Sequence, residues 1–375
     1  MARAGRLILL AMVWMWPSTL LAQSEAINQA FDRGDALVKE KRFEDAIPFF
    51  KHALELSERK FGPNHGTTAD ARYALGEMYY VLGRNDDAEP LFRQNLQFYE
   101  GEWGPDHPNI AVILKNLASI YRGLGRTDDV ERAYLRTLEI YSKSPDTKLD
   151  DIAIIQLNLA LTYHEQARHD EADRFYRRAL ATTEKFEKPD PILVARIVGD
   201  LAASLDQRGR FAEAEKFYKR ALQIRGKVLG PDDPEVAAST VRLAGLYRLQ
   251  GRYAEAEPLF KRALAVQEKT LGPDHPDVAK NLAQMGTLYG EQGRRREAEA
   301  HYKRALSIIE KAYGPDHPDA ATNVLNLATT YTSGGRYAEA EPLFQRALRI
   351  RTKHYGADHP EVASVLRQLA VLRTE

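Results

Sequence analysis

From about residue 24 onward, apolar residues recur in two helical stripes separated by short polar punctuation. Val236, Thr240, Leu243 and Tyr247 stand at i, i+4, i+7 and i+11, on one side of an α-helix. Ala256, Leu259, Phe260, Ala263 and Leu264 stand at i, i+3, i+4, i+7 and i+8 and form a second stripe. Gly251, between them, predicts the end of the first helix, because glycine takes the left-handed cap conformation without a Cβ clash. Asp-His-Pro segments predict the helix starts. A polar side chain caps the free N–H groups, and proline in the first turn forfeits no hydrogen bond. Pro48, Pro90, Pro258 and Pro342 are read in the same way, early in the second helix.

The two-helix pattern repeats every 42 residues. Gly-Pro-Asp-His-Pro or a near copy begins at Gly62, Gly104, Gly230, Gly272, Gly314 and Gly356, and decayed copies stand at Ser144 and Lys188. A Gly-Arg turn keeps the same phase at Gly83, Gly125, Gly209, Gly251, Gly293 and Gly335, with Lys41 and Ala167 in the two remaining slots. Each copy predicts a helix hairpin that cannot bury its stripes alone, so neighbouring hairpins must stack. The chain therefore reads as all-α. About eight hairpins run from residue 24 to residue 355, and a final helix from about Pro360 to Leu372, with a polar end, caps the stack.

The residues Leu243-Ala244, Tyr247, Gly251, Tyr253, Ala256, Phe260 and Ala263 resemble the tetratricopeptide repeat family. The set recurs as Leu75-Gly76, Tyr79, Gly83, Ala88 and Phe92, and as Leu327-Ala328, Tyr331, Gly335, Ala340, Phe344 and Ala347. With Asn-Leu-Ala and Gly-Pro-Asp-His-Pro in a 42-residue unit, the repeat is similar to the kinesin light chain type. The resemblance implies a right-handed α-solenoid over residues 23–375. Arg33, Lys41, Val130, Thr137, Ala167 and Leu205 depart from the pattern, which predicts altered local packing in copies three to five.

Residues 1–22 carry Arg3, Arg6, the apolar run Leu7 to Trp16 and a small final residue, Ala22, the layout of a secretory signal peptide. Cleavage is expected after Ala22, with Ala26 as the other choice, and the protein is then exported to the periplasm or secreted. An uncleaved anchor is the alternative, although the apolar run is short of the roughly 20 residues a span needs. Lys+Arg and Asp+Glu both number 53, and losing the leader leaves a net charge of −2. That balance gives no reason to expect nucleic acid as a partner. Cysteine is absent, which excludes disulfides, thiolate metal sites and a cysteine nucleophile.

The recurrent tyrosines and phenylalanines are read as core, and His107, His275, His317 and His359 as loop caps. Equivalent loops stand two helices apart, too far for histidines to share a zinc ion. The Glu-Ala-Glu segments at Glu213, Glu255 and Glu339 are read as a solvated face. There is no Gly-rich phosphate loop, His-Glu-x-x-His or Gly-x-Ser-x-Gly, so the sequence reads as non-enzymatic and without a cofactor.

A solenoid offers an extended binding surface, and the resemblance implies that the first helix of each hairpin lines it. The residue before each Leu-Ala pair is predicted to face that side: Ala74, Asn116, Asn158, Asp200, Arg242, Gln284, Asn326 and Gln368. A carboxamide both donates and accepts, so it can bracket an extended backbone. Asn116, Asn158, Arg242, Gln284 and Asn326 are the candidate peptide-binding residues. The partner expected is a protein or peptide segment, with membrane contact only through an uncleaved leader. The oligomeric state is left open. A membrane-tethered assembly factor and a self-assembling structural protein are the other readings.

Overall fold

The computed structural model describes residues 25–144 and 148–372, so the leader and its cleavage site lie outside the described residues. Among them every regular element is a helix, and there are seventeen. They fall into two compact units divided between Phe186 and Glu187. The first unit holds four hairpins: α1 (Glu25–Lys39) with α2 (Phe43–Phe61), α3 (Gly66–Val81) with α4 (Asn85–Trp103), α5 (Pro108–Gly123) with α6 (Thr127–Lys143), and α7 (Leu149–Glu165) with α8 (His169–Thr183). The second holds α9 (Pro191–Gln207) with α10 (Phe211–Leu229), α11 (Pro234–Leu249) with α12 (Tyr253–Leu271), α13 (Pro276–Glu291) with α14 (Arg295–Tyr313), α15 (Pro318–Ser333) with α16 (Tyr337–Tyr355), and the single helix α17 (Pro360–Leu372). Inside each unit a second helix packs on its own first helix and on the first helix of the next hairpin.

The two loop types do what their residues dictate. Gly251 has φ +71°, and the Arg252 N–H reaches back to the Tyr247 carbonyl at 2.8 Å, the bond that closes a left-handed C-cap. Lys41 (φ 61°) and Ala167 (φ 57°) adopt the same turn despite their Cβ atoms, so stacking overrides a local penalty. In the other loop the histidine is a working cap: the Asn109 N–H donates to His107 Nδ1 at 3.2 Å, and the Asp319 N–H to His317 Nδ1 at 3.2 Å. Each ring also rests on the aromatic residue that ends the previous helix, as in Tyr313–His317 at 4.6 Å between centroids. Asp190 and Asp233 replace histidine with a carboxylate and cap in the same way.

The stripes read from the sequence are the core. Val236, Thr240, Leu243, Tyr247, Ala256, Phe260 and Ala263 are all buried. The departures expected to disturb packing do not. Val130, Thr137 and Leu205 are buried, and the Thr137 hydroxyl is satisfied by the Ala133 carbonyl at 2.8 Å within its own helix. Arg33 is exposed on α1, where no earlier hairpin among the described residues covers it. One expectation needs correcting. Pro48, Pro90, Pro258 and Pro342 lie inside the second helices, each at the sixth helical position rather than in the first turn. All four are exposed, so the missing N–H costs one helix hydrogen bond on the side that faces water.

Candidate functional site

In the first unit the face predicted to bind carries a half-buried polar cluster. Asp70, Tyr73 and Glu77 sit at i, i+3 and i+7 on α3 and form one stripe. The Asn116 carboxamide donates to the Tyr73 hydroxyl at 2.9 Å and ties α5 to α3. The Tyr99 hydroxyl donates to Asp70 at 3.4 Å. Burial pushes the Asp70 carboxyl up to about 7, with the Tyr99 hydroxyl pulling the other way. Burial also pushes Glu77 to about 7, against the pull of Tyr73 and with a further push from Asp35. Arg122 bridges to α7, donating to Thr162 at 3.0 Å and to the Asn158 carbonyl at 3.4 Å.

The second unit carries arginines on its matching face. Asp200 is half-buried, with Arg242 3.6 Å away. Burial raises the Asp200 carboxyl, while Arg242, Arg196 and Arg225 draw it back down. Arg225 is held in place by its bond to the Ser239 hydroxyl at 2.8 Å.

The five sequence-predicted residues divide between the units. Asn116 and Asn158 belong to α5 and α7, and Arg242, Gln284 and Asn326 to α11, α13 and α15. Asn116 is committed to Tyr73 by its NH2 group and keeps its oxygen free, and Arg242 is engaged with Asp200. Among the described residues the side chains of Asn158, Gln284 and Asn326 make no hydrogen bond within the chain. Gln284 is exposed, and Asn158 and Asn326 are half-buried.

A set of ties between hairpins escaped the sequence reading. The Tyr247 hydroxyl and the Arg252 guanidinium both donate to Glu215 of the preceding hairpin, at 3.1 and 2.7 Å. Arg252 lies over the Tyr247 ring, 4.0 Å from its centroid. The arrangement recurs as Glu131–Tyr163–Arg168, Glu257–Tyr289–Arg294 and Glu299–Tyr331–Arg336. Lys219 and Arg252 hold Glu215 down to about 2, and Lys261 and Arg294 do the same for Glu257. Burial works against Glu299, but Lys303 and Arg336 still bring it to about 2. The second glutamates of the Glu-Ala-Glu segments that start at Glu213, Glu255 and Glu297 are thus structural anchors, while the first ones, with their side chains exposed, belong to the solvated face. The signal was present as a fixed interval: tyrosine follows the anchoring glutamate by 32 residues and arginine follows it by 37.

Among the described residues no group of three or more acidic or histidine side chains is placed to hold a metal ion. No helix among them is long and apolar enough to cross a membrane.

The fold and its markers define a class. The tetratricopeptide repeat model matches residues 26–100, 67–143, 125–185, 151–227, 193–265, 235–311, 291–353 and 320–375. The chain belongs to the tetratricopeptide repeat family. Solved structures share the architecture. BtubC (BKLC) from P. vanneervenii is 26% identical, aligns over 62% of this chain and 94% of its own, and gives a TM-score of 0.54. The apo form of the quorum sensor NprR from B. thuringiensis is 14% identical, aligns over 88% and 89%, and gives 0.66. The apo form of RapI is 13% identical, aligns over 93% and 98%, and gives 0.60. No curated protein matches the chain.

Proposed function

We propose that this protein is a non-enzymatic scaffold that acts outside the cytoplasm and holds an extended segment of a partner protein along the first helices of its hairpins. The observation that carries this reading is the pair of unengaged carboxamides Gln284 and Asn326, 42 residues apart on the first helices of the second unit, with Asn158 unengaged at the same register in the first unit. An isolated polar side chain on a helix surface needs no explanation. Repeated donor–acceptor groups at one register offer an extended backbone a matching series of partners. Asn116 adds to the first unit's set and Arg242 to the second's, each with hydrogen-bonding capacity beyond its internal contact. The leader read in residues 1–22 supports export, and N-terminal mass determination on the native protein tests it: a mature chain starting at Gln23 or Ile27 supports cleavage, and an intact Met1 end shows an anchor.

Crosslinking with mass spectrometry on the native exported protein identifies the partner. The variant with Asn116, Asn158, Arg242, Gln284 and Asn326 all changed to alanine then tests the site. Loss of the crosslinked partner, with the helical melting curve unchanged, is the expected result. Recovery of the same partners at the same yield would show that this face is not where they bind.

A further inference from the structure

Within the second unit, α9 and α11 carry matching stripes. Asp200, Ala203 and Asp206 stand one turn apart on α9, and Arg242, Gly245 and Arg248 stand at the same register on α11, 42 residues on. Acid faces base at both ends. Arg242 lies 3.6 Å from Asp200. Burial raises the Asp206 carboxyl, and the Arg248 charge draws it back. The middle positions are the small ones, and a Cβ added to Gly245 would meet nothing within 4 Å. Behind them, on α10, stands Tyr218, only 5% exposed. In other hairpins the tyrosine fifteen residues after this position finds a hydroxyl on the first helix. Tyr302 meets Thr287 at 2.9 Å, and Tyr134 bonds to Ser119. Ala203 has no hydroxyl to offer, and among the described residues the Tyr218 hydroxyl makes no hydrogen bond within the chain. Burial raises the acidity constant of this phenol, Asp206 raises it further, Arg242 opposes and Asp200 adds to the rise, so the hydroxyl is aimed among those three side chains. Asp206 Oδ1 is also buried and unbonded.

We propose that the notch over Ala203 and Gly245 is a specificity pocket for a primary carboxamide, the side chain of a glutamine or asparagine in the partner segment. A carboxamide is donor and acceptor at once. Its NH2 group donates to Asp206 Oδ1, and its carbonyl accepts from the Tyr218 hydroxyl. A ligand that meets only one of these leaves a buried polar group unbonded, which costs its desolvation. The charges of the notch disfavour an ion of either sign. The two stripes carry two acids and two bases. A carboxylate would lie against Asp206, and an ammonium against Arg242. Arg196 and Arg225 act on Asp200, at the opposite end from Asp206. Arg248 is further held by Glu291 of α13. The inference rests on the proposed function for the source of the carboxamide, a partner segment on the first helices, and on these residues alone for the pocket.

Propionamide, the side chain of glutamine as a free molecule, is the probe. It is titrated into the full-length protein labelled with ¹³C at the tyrosine ζ carbons, and the Tyr218 signal is assigned by its loss in Tyr218→Phe. A saturable shift of that signal is expected. Propionate and propylammonium, close in size and charged, should bind about tenfold more weakly or worse. Ala203→Thr supplies Tyr218 with the partner that Thr287 gives Tyr302, using a side chain the fold already carries at that register. It should weaken propionamide by about tenfold while the helical melting curve stays in place. No saturable shift overturns the proposal, as does equal or tighter binding of either ion, or binding indifferent to Ala203→Thr. The titration contains no partner, so its failure leaves the crosslinking result on the five-alanine variant untouched, and failure of that result leaves the pocket standing.

Discussion

The slot on the first helices that holds Asp70 in the first unit holds Arg196 in the second, and the consequences run through both faces. In the first unit Asp70 and Glu77 are half-buried with no cation paired to either among the described residues, and burial pushes both carboxyls to about 7. In the second, Asp200 is just as enclosed, yet Arg242, Arg196 and Arg225 stand against the effect of burial. A carboxyl shifts upward when it loses water and gains only hydroxyls, because hydroxyls replace hydration poorly compared with a guanidinium. The ties between hairpins show the same rule with opposite sign. Glu215, Glu257 and Glu299 in the second unit each have a lysine four residues on and an arginine from the next hairpin. Glu131 in the first unit keeps the arginine, Arg168, but has Leu135 in the lysine slot.

The largest way to probe the difference is to remove matched core aromatics. Phe92→Ala and Phe260→Ala should each lower stability by about 3–5 kcal/mol, since both rings are fully buried on a small residue or alanine-lined helix. Chemical denaturation followed by circular dichroism measures both, and equal costs would show that the units are equally well packed whatever their charges.

Acidity separates the units next. A carboxyl whose folded pKa lies near 7 contributes stability that is complete below about pH 4 and fades as pH rises through 7. Asp70→Asn with Glu77→Gln should therefore stabilise the first unit by about 2 kcal/mol at pH 8 and do little at pH 4. The glutamates held near 2 work in reverse: their stabilisation is complete above about pH 4.5 and is lost as pH falls toward 2. Hydrogen exchange of α3 and of α11–α16 across pH 3 to 8 reads the two trends separately. Parallel trends in both units would contradict the assignment.

A smaller effect comes from exchanging the turn residues. Ala167→Gly should stabilise the protein by about 1 kcal/mol and Gly251→Ala should destabilise it by a similar amount, because both positions have φ near +60 to +70°. Thermal unfolding of the pair measures this, and a loss on Ala167→Gly would mean that the α7–α8 turn is held by contacts to the alanine methyl. The smallest effect is Lys269→Ala. Its partner Asp232 and the lysine itself are exposed, so the denaturation midpoint should not move.

Much of this was legible before any coordinates. The 42-residue period, the eight hairpins, the start of α17 at Pro360, the buried tyrosines and the histidine caps all follow from local spacing and turn chemistry. The glutamate–tyrosine–arginine ties were not read, although their intervals are regular. A regular interval becomes a contact only when stacking brings residues 32 and 37 apart in sequence to within hydrogen-bond reach. Copies three to five looked weak on paper because a single-residue consensus ignores compensation, and Thr137 supplies its own by bonding the Ala133 carbonyl.

The sequence alone settled the repeat, its helices and its loops, because each is fixed by interactions that reach no further than about five residues: caps, turns and the periodicity of one apolar face. Tertiary structure alone decided which glutamates anchor neighbouring hairpins and which carboxyls lose their water at Asp70 and Glu77. Those depend on which helix lies against which, and burial is a property of the neighbour as much as of the residue.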